Sequence, residues 1–175
     1  NEKKVKINEI QNTQKENIIN SNNSLLKEDE EAPNLIKDLK YVSKDILGNE
    51  YIISSEYSTL NLEKTNIINM EEVNATITML DKEPIFVKSK FAIYDNETYE
   101  TIFFDNVVIN YLDNIVNSEK FEISVKDNFA QVSEKVIYQN PNIKLEADVI
   151  EIDLITKNSK IFMIDDKKKI KITNN

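Results

Sequence analysis

Two kinds of side-chain cluster in this 175-residue chain have types and spacings that could do chemistry. Asp148 and Glu151 form a carboxylate pair of the kind that cleaves glycosides, one group acting as acid and the other as base or nucleophile. Glu28-Asp29-Glu30-Glu31 and Asp165-Asp166 are acidic runs whose oxygens could take calcium. Neither has a supporting frame. Nothing around Asp148 sets it in a polar cleft, and the acidic runs lack the alternation and the invariant glycine of an EF-hand loop. Solvated charge is the plainer reading of both. Asn22-Asn23-Ser24, Asn74-Ala75-Thr76 and Asn96-Glu97-Thr98 match the glycosylation triplet, but that triplet is common in any asparagine-rich chain.

The missing residue types exclude more than the present ones suggest. The chain has no cysteine, histidine or tryptophan, and its 22 basic residues are all lysine. Without thiolate or imidazole there is no Ser-His-Asp or Cys-His arrangement and no soft metal site. The single glycine, Gly48, rules out a glycine-rich phosphate loop. A formal charge of −9, with lysines scattered except at Lys167-Lys168-Lys169, argues against nucleic acid as a partner. No catalytic residue, metal or cofactor is expected. With 40% hydrophobic residues the chain can still bury a real core.

The elements that position this core fall into two regions. Residues 1–33 are polar, with few large apolar groups, so burial cannot offset the entropy of ordering them. They read as a flexible tether, a short amphipathic helix through Leu25 and Leu26 being the alternative. Residues 34–175 form one domain in which the apolar period is two. Ile85, Val87, Ser89, Phe91 and Ile93 alternate with Phe86, Lys88, Lys90, Ala92 and Tyr94; Val73, Ala75, Ile77 and Met79 form another such set, and Phe121, Ile123 and Val125 a third. Helical spacing is not sustained, so the domain is all-β.

Turn signals fall between the strands. Gly48 suits the first central position of a tight II′ hairpin turn, Asp81-Lys82-Glu83-Pro84 marks another break, and Asp-Asn or Asn-Pro-Asn groups mark 95–96, 113–114, 127–128 and 140–142. A degenerate repeat follows, with anchors at Tyr57, Phe91, Phe121 and Val149 spaced by 34, 30 and 28 residues. Each unit is two strands, and about four units must stack to bury their apolar faces, giving two facing antiparallel sheets. In the last unit the apolar parity slips from Leu145, Ala147 and Val149 to Ile150 and Ile152, which predicts a β-bulge and a bend there.

This pattern resembles the periplasmic proteins of lipopolysaccharide export, the LptC-like and OstA/LptA-like β-jellyroll family. The resemblance rests on the run from Tyr41 through Leu47-Gly48-Asn49-Glu50-Tyr51 to Tyr57, and on Ile143-Lys144-Leu145-Glu146-Ala147-Asp148-Val149-Ile150-Glu151-Ile152-Asp153. It covers about residues 34–172, and the polar lead makes the anchored LptC-like members the nearer relatives. It implies a twisted β-jellyroll, or β-taco, without enzymatic activity. The expected ligand is lipopolysaccharide, its acyl chains held in an apolar groove. The expected partners are an inner-membrane ABC transporter and an LptA-like bridge protein joined by edge-strand pairing. The expected location is the periplasm, tethered by an N-terminal helix absent from this sequence.

Strand parity then nominates the groove lining: Ile53, Tyr57, Val73, Ile77, Val87, Phe91, Ile93, Val107, Ile109, Phe121, Ile123, Val136, Leu145 and Val149. Ser55, Ser89 and Ala147 keep one position per repeat small, which either leaves room for acyl chains or lets the walls pack closely. A structural or adhesive β-repeat module with a dry core is the competing reading.

Overall fold

A computed structural model describes residues 34–44, 48–124, 126–156, 158–165 and 167–174. The expected tether, residues 1–33, lies outside the described residues. The chain runs as an antiparallel meander: β1 (Leu35–Lys44), β2 (Glu50–Leu60), β3 (Ile67–Thr78), β4 (Ile85–Asp95), β5 (Glu100–Tyr111), β6 (Asn114–Ser124), β7 (Phe129–Gln139), β8 (Ile143–Asp153), β9 (Ser159–Phe162) and β10 (Lys171–Asn174). Each strand pairs with the next from β1 to β8; β9 and β10 then both return to the free edge of β8, on its Val149–Ile152 and Ile143–Glu146 stretches. The two facing sheets expected from the repeat are therefore two arms of one continuous, open ladder of ten strands.

What folds this ladder is a crease that crosses every strand from β1 to β8. On the odd strands it is marked by residues with left-handed backbone: Asp38 in β1, Glu72 in β3, Asp105 and Asn106 in β5, Glu134 and Lys135 in β7. Between the pairs Phe104–Lys120 and Val107–Ser118, two β5 residues face one on β6, Glu119. Between Ser133–Val149 and Val136–Ala147, two β7 residues face one on β8, Asp148. These are β-bulges, which bend a strand and re-aim its side chains.

The even strands record the same line as a change of parity. In β2 the buried positions run Ile53, Ser55, then Ser58; in β4, Val87, Ser89, then Ala92 and Tyr94; in β6, Ser118, then Phe121 and Ile123; in β8, Leu145, Ala147, then Ile150, with its neighbour Val149 also buried. The slip expected only in the last unit thus occurs in every unit. In the last unit the extra residue sits on β7 rather than on β8.

Residue choice at the crease follows from the bend. Its inner side carries a small residue on each even strand, Ser55, Ser89, Ser118 and Ala147, all buried. A kinked strand frees a backbone carbonyl, which must find a donor. The Ser89 hydroxyl donates to the Phe91 carbonyl at 2.7 Å and the Ser118 hydroxyl to the Lys120 carbonyl at 3.2 Å, each spanning the kink; Ser55 and Ser58 share a hydroxyl–hydroxyl bond across theirs. Immediately after each small residue comes a charge: Glu56, Lys90, Glu119 and Asp148. On the convex side these charges stay hydrated and pair in places, Lys135 with Glu119 at 2.9 Å and Lys90 with Asp105 at 4.0 Å. The Lys135 ammonium, joined by the Asn106 N–H, holds the Glu119 carboxyl below its ordinary range.

The turns also follow from composition, with one exception. Asp95 Oδ1 accepts the Glu97 and Thr98 N–H groups, and Asn140 Oδ1 accepts those of Asn142 and Ile143. Gly48 does take positive φ, but Lys44 pairs with Glu50, so the connection spans the five residues 45–49 and not a two-residue turn.

A crease built on left-handed residues makes a direct prediction at Glu72. Glu72→Gly removes the Cβ penalty and leaves stability unchanged or higher, whereas Glu72→Val lowers it by roughly 1–2 kcal/mol, since a β-branched residue tolerates positive φ poorly. Urea midpoints of the two variants check this; equal midpoints would contradict it.

Candidate functional site

The folded ladder encloses an apolar interior between its arms. One arm holds the β1, β3, β5 and β7 residues that follow the crease and the even-strand residues that precede it; the other arm holds the complementary halves. Rows of paired residues run along each. On the first arm Tyr41, Ile53, Ala75, Val87, Ile109 and Val116 pair in sequence; on the second, Met70, Ala92, Phe103, Phe121, Val132 and Ile150 do. These rows make up most of the buried cluster. The arms meet where the Tyr41 ring of β1 lies 5.0 Å from the Tyr94 ring of β4, a contact that strands three apart can make only if the ladder folds over.

Toward the β1 end the two arms leave a cavity of about 240 Å³. β1, β2 and β3 line it from the first arm with Tyr41, Ser43, Lys44, Tyr51, Ile52, Ile53, Ala75 and Ile77. Across from them stand Tyr94, Tyr99, Thr101, Phe103 and Ile123, with Lys126 from the connection after β6. Polarity is graded by depth. Ile53, Ala75 and Phe103 sit nearer the crease, Tyr94, Thr101 and Ile123 a row further out, and Tyr99, Lys44 and Lys126 at the strand ends. Lys44 pairs with Glu50 at 3.0 Å. Tyr94 is only 4% exposed, and burial, with the Tyr41 hydroxyl nearby, holds its phenol far above the ordinary range.

The structure separates the predicted lining residues into two groups. Ile53, Val73, Val87, Val107, Phe121, Ile123 and Val136 are buried in the interior cluster, with Ile77 and Ile109 packed against it. Leu145 is also buried, paired with Tyr138 in the same row as Val116. Ile53, Ile77 and Ile123 reach the cavity itself. Tyr57, Phe91 and Ile93 do not face the interior. Each lies beyond the crease, where parity has reversed: Ser58 replaces Tyr57, and Ala92 and Tyr94 replace Phe91 and Ile93. Tyr57 is 38% exposed, and Phe91 stacks on Phe104 with Lys90 over its ring. Val149 is buried but stands in the register row of Phe91, and it is the next residue, Ile150, that joins the cluster. Tyr41, Tyr94, Thr101 and Phe103 were missed. The small-then-charged dipeptides at 55–56, 89–90, 118–119 and 147–148 mark the crease, and counting parity outward from them finds these residues.

Comparison with known proteins decides what this groove belongs to. The family model described as "Lipopolysaccharide-assembly, LptC-related" matches residues 7–162. The chain belongs to the LptC-related family. Among solved structures, it is similar to the crystal structure of LptH, the LptA-homologous periplasmic component of the lipopolysaccharide transport device of Pseudomonas aeruginosa. That likeness has a TM-score of 0.52 at 7% identity and covers 70% of this chain and 93% of the other, so it speaks to the fold: a β-jellyroll. A search of curated proteins found no match. Membership of an LptC-related family places the chain in lipopolysaccharide assembly. No helix among the described residues is long and apolar enough to cross a membrane.

Because the chain has no native cysteine, parity can be read directly by labelling. In the folded protein a cysteine at Tyr57, Phe91 or Ile93 reacts with a maleimide within minutes. One at Ala92, which is 1% exposed, reacts only after unfolding. Rapid labelling at Ala92 and protection at Phe91 would reverse the assignment of faces.

Proposed function

We propose that this domain carries lipopolysaccharide across the periplasm by holding its acyl chains between the two arms, and that it does so without enzymatic activity. The observation that carries the reading is the cavity between β1–β3 and β4–β6, apolar at depth and rimmed by phenols and lysines, in a chain of the LptC-related family. Transfer of alkyl groups from water is favourable by about 0.8 kcal/mol per methylene, so a groove of Ile, Ala and Phe side chains holds chains without a charged clamp. Weak, distributed contacts of this kind also suit a carrier, which must release what it binds.

In this reading the donor is an inner-membrane ABC transporter and the acceptor an LptA-like bridge protein, with the chain tethered to the inner membrane through its N-terminal side. The edges support an end-to-end arrangement. Among the described residues β1 pairs only with β2, so its ten-residue outer edge is open to strand addition. At the other end β9 and β10 cover β8 with strands of four residues each, and their exposed Ile161, Phe162 and Ile172 mark a second place where a partner strand can pair.

Site-specific photo-crosslinking tests the groove. A photoreactive residue at Ile77 or Ile123 forms an adduct with added lipopolysaccharide, while one at Phe91, on the outer face, forms none. Adducts at all three positions, or none at any in a protein that unfolds cooperatively, would favour a dry-cored interaction module.

A further inference from the structure

The cavity contains a polar group that a purely apolar groove would not need. Tyr94 belongs to β4, past the crease, and lines the cavity at 4% exposure. Its Oη is buried with no hydrogen-bond partner among the described residues. The Tyr41 phenol lies near enough to act on it, but the two make no hydrogen bond of normal geometry. A buried hydroxyl left without a partner is costly, and a Phe would fill the same space without that cost. The contrast within this chain is direct: Tyr138, on the facing arm in the row of Val116, donates to Asn114 Oδ1 at 2.6 Å and accepts from Asn140 Nδ2 at 2.8 Å. Tyr94 is therefore a protonated donor waiting in a cavity whose depth is apolar and whose rim carries Lys44 and Lys126.

We infer that the Tyr94 hydroxyl donates to the carbonyl of the acyl linkage of a bound lipid, so that the groove reads where chain meets headgroup as well as burying the chain. This rests on the lipid-carrier reading and deepens it. The order of groups fits such an amphiphile. The alkyl part lies toward Ile53, Ala75 and Phe103, the linkage carbonyl at Tyr94 one row further out, and the anionic end toward the two lysines at the strand ends. An ester or amide carbonyl is the acceptor that sits between chain and headgroup in an acylated lipid, and an ether linkage offers a far weaker one. A carrier with this device would set the depth at which its cargo rides.

The test uses two single-chain amphiphiles of equal chain length below their micellar concentrations, a monoacyl glycerol phosphate and its ether-linked alkyl counterpart, titrated calorimetrically. Wild type prefers the ester by about tenfold, the worth of one buried hydrogen bond. Tyr94→Phe binds both at the ether level, and its melting temperature is unchanged or higher because an unsatisfied hydroxyl has gone. Equal binding of both probes by wild type, or an ester preference that survives in Tyr94→Phe, would overturn the linkage reading alone, provided lipopolysaccharide still crosslinks at Ile77. Absence of both probe binding and crosslinking would overturn the carrier reading with it.

Discussion

Everything in this fold depends on bending an antiparallel sheet along a line that crosses each of eight strands, in a chain with one glycine. A flat meander of this sequence would leave its apolar face in water. Folding the ladder across its strands sets one half of that face against the other, and the burial gained there outweighs the strain of the bend. That strain is visible: left-handed backbone at Asp38, Glu72, Asp105, Asn106, Glu134 and Lys135, each of the order of 1 kcal/mol for a residue with a Cβ. Asp and Asn lower the cost because their side chains tolerate that region. Serines on the inside of the kink lower it again by donating to carbonyls on its far side.

The same crease sets the arms over one another and leaves the cavity toward the β1 end. Small residues line the bottom of the crease, Tyr41 and Tyr94 bring the arms into contact above it, and Tyr51 and Tyr99 line the cavity further out. Among the described residues no strand pairs β1 with β8, so the ladder does not close. At the C-terminal end the crease interrupts the covering strands too. β9 and β10 lie on either side of it, and the Ile164 N–H between them donates to Asp148 at the kink. The convex ridge carries the charges and the concave side the apolar groups, so one sequence line separates the solvent face from the apolar interior.

Much of this could be read from residues alone. Alternation identified the strands, Asp and Asn placed most of the turns, and the repeat of apolar strands pointed to the LptC-like family. Parity failed at Tyr57, Phe91, Ile93 and Val149 for a common reason. These positions lie beyond a bulge, and one shifted residue moves every later side chain to the opposite face. Aromatic anchors misled here, because Phe91 and Tyr57 are large and apolar yet sit on the outer face, while Ala92 and Ser58 go inside. Aligning on Phe121 instead of Ser118 also put the third repeat unit one residue out of frame with the others. The buried Tyr94 hydroxyl had no sequence signal, since a tyrosine among alternating residues looks the same whether its oxygen is partnered or not.

The central claim is that the crease-formed groove holds lipid by its acyl chains. Native mass spectrometry of the purified domain tests it most directly, with intact lipopolysaccharide and with the same molecule stripped of its acyl chains offered separately. The account predicts a bound complex with the acylated molecule and none with the deacylated saccharide. Equal binding of the two, or binding of neither, would contradict it.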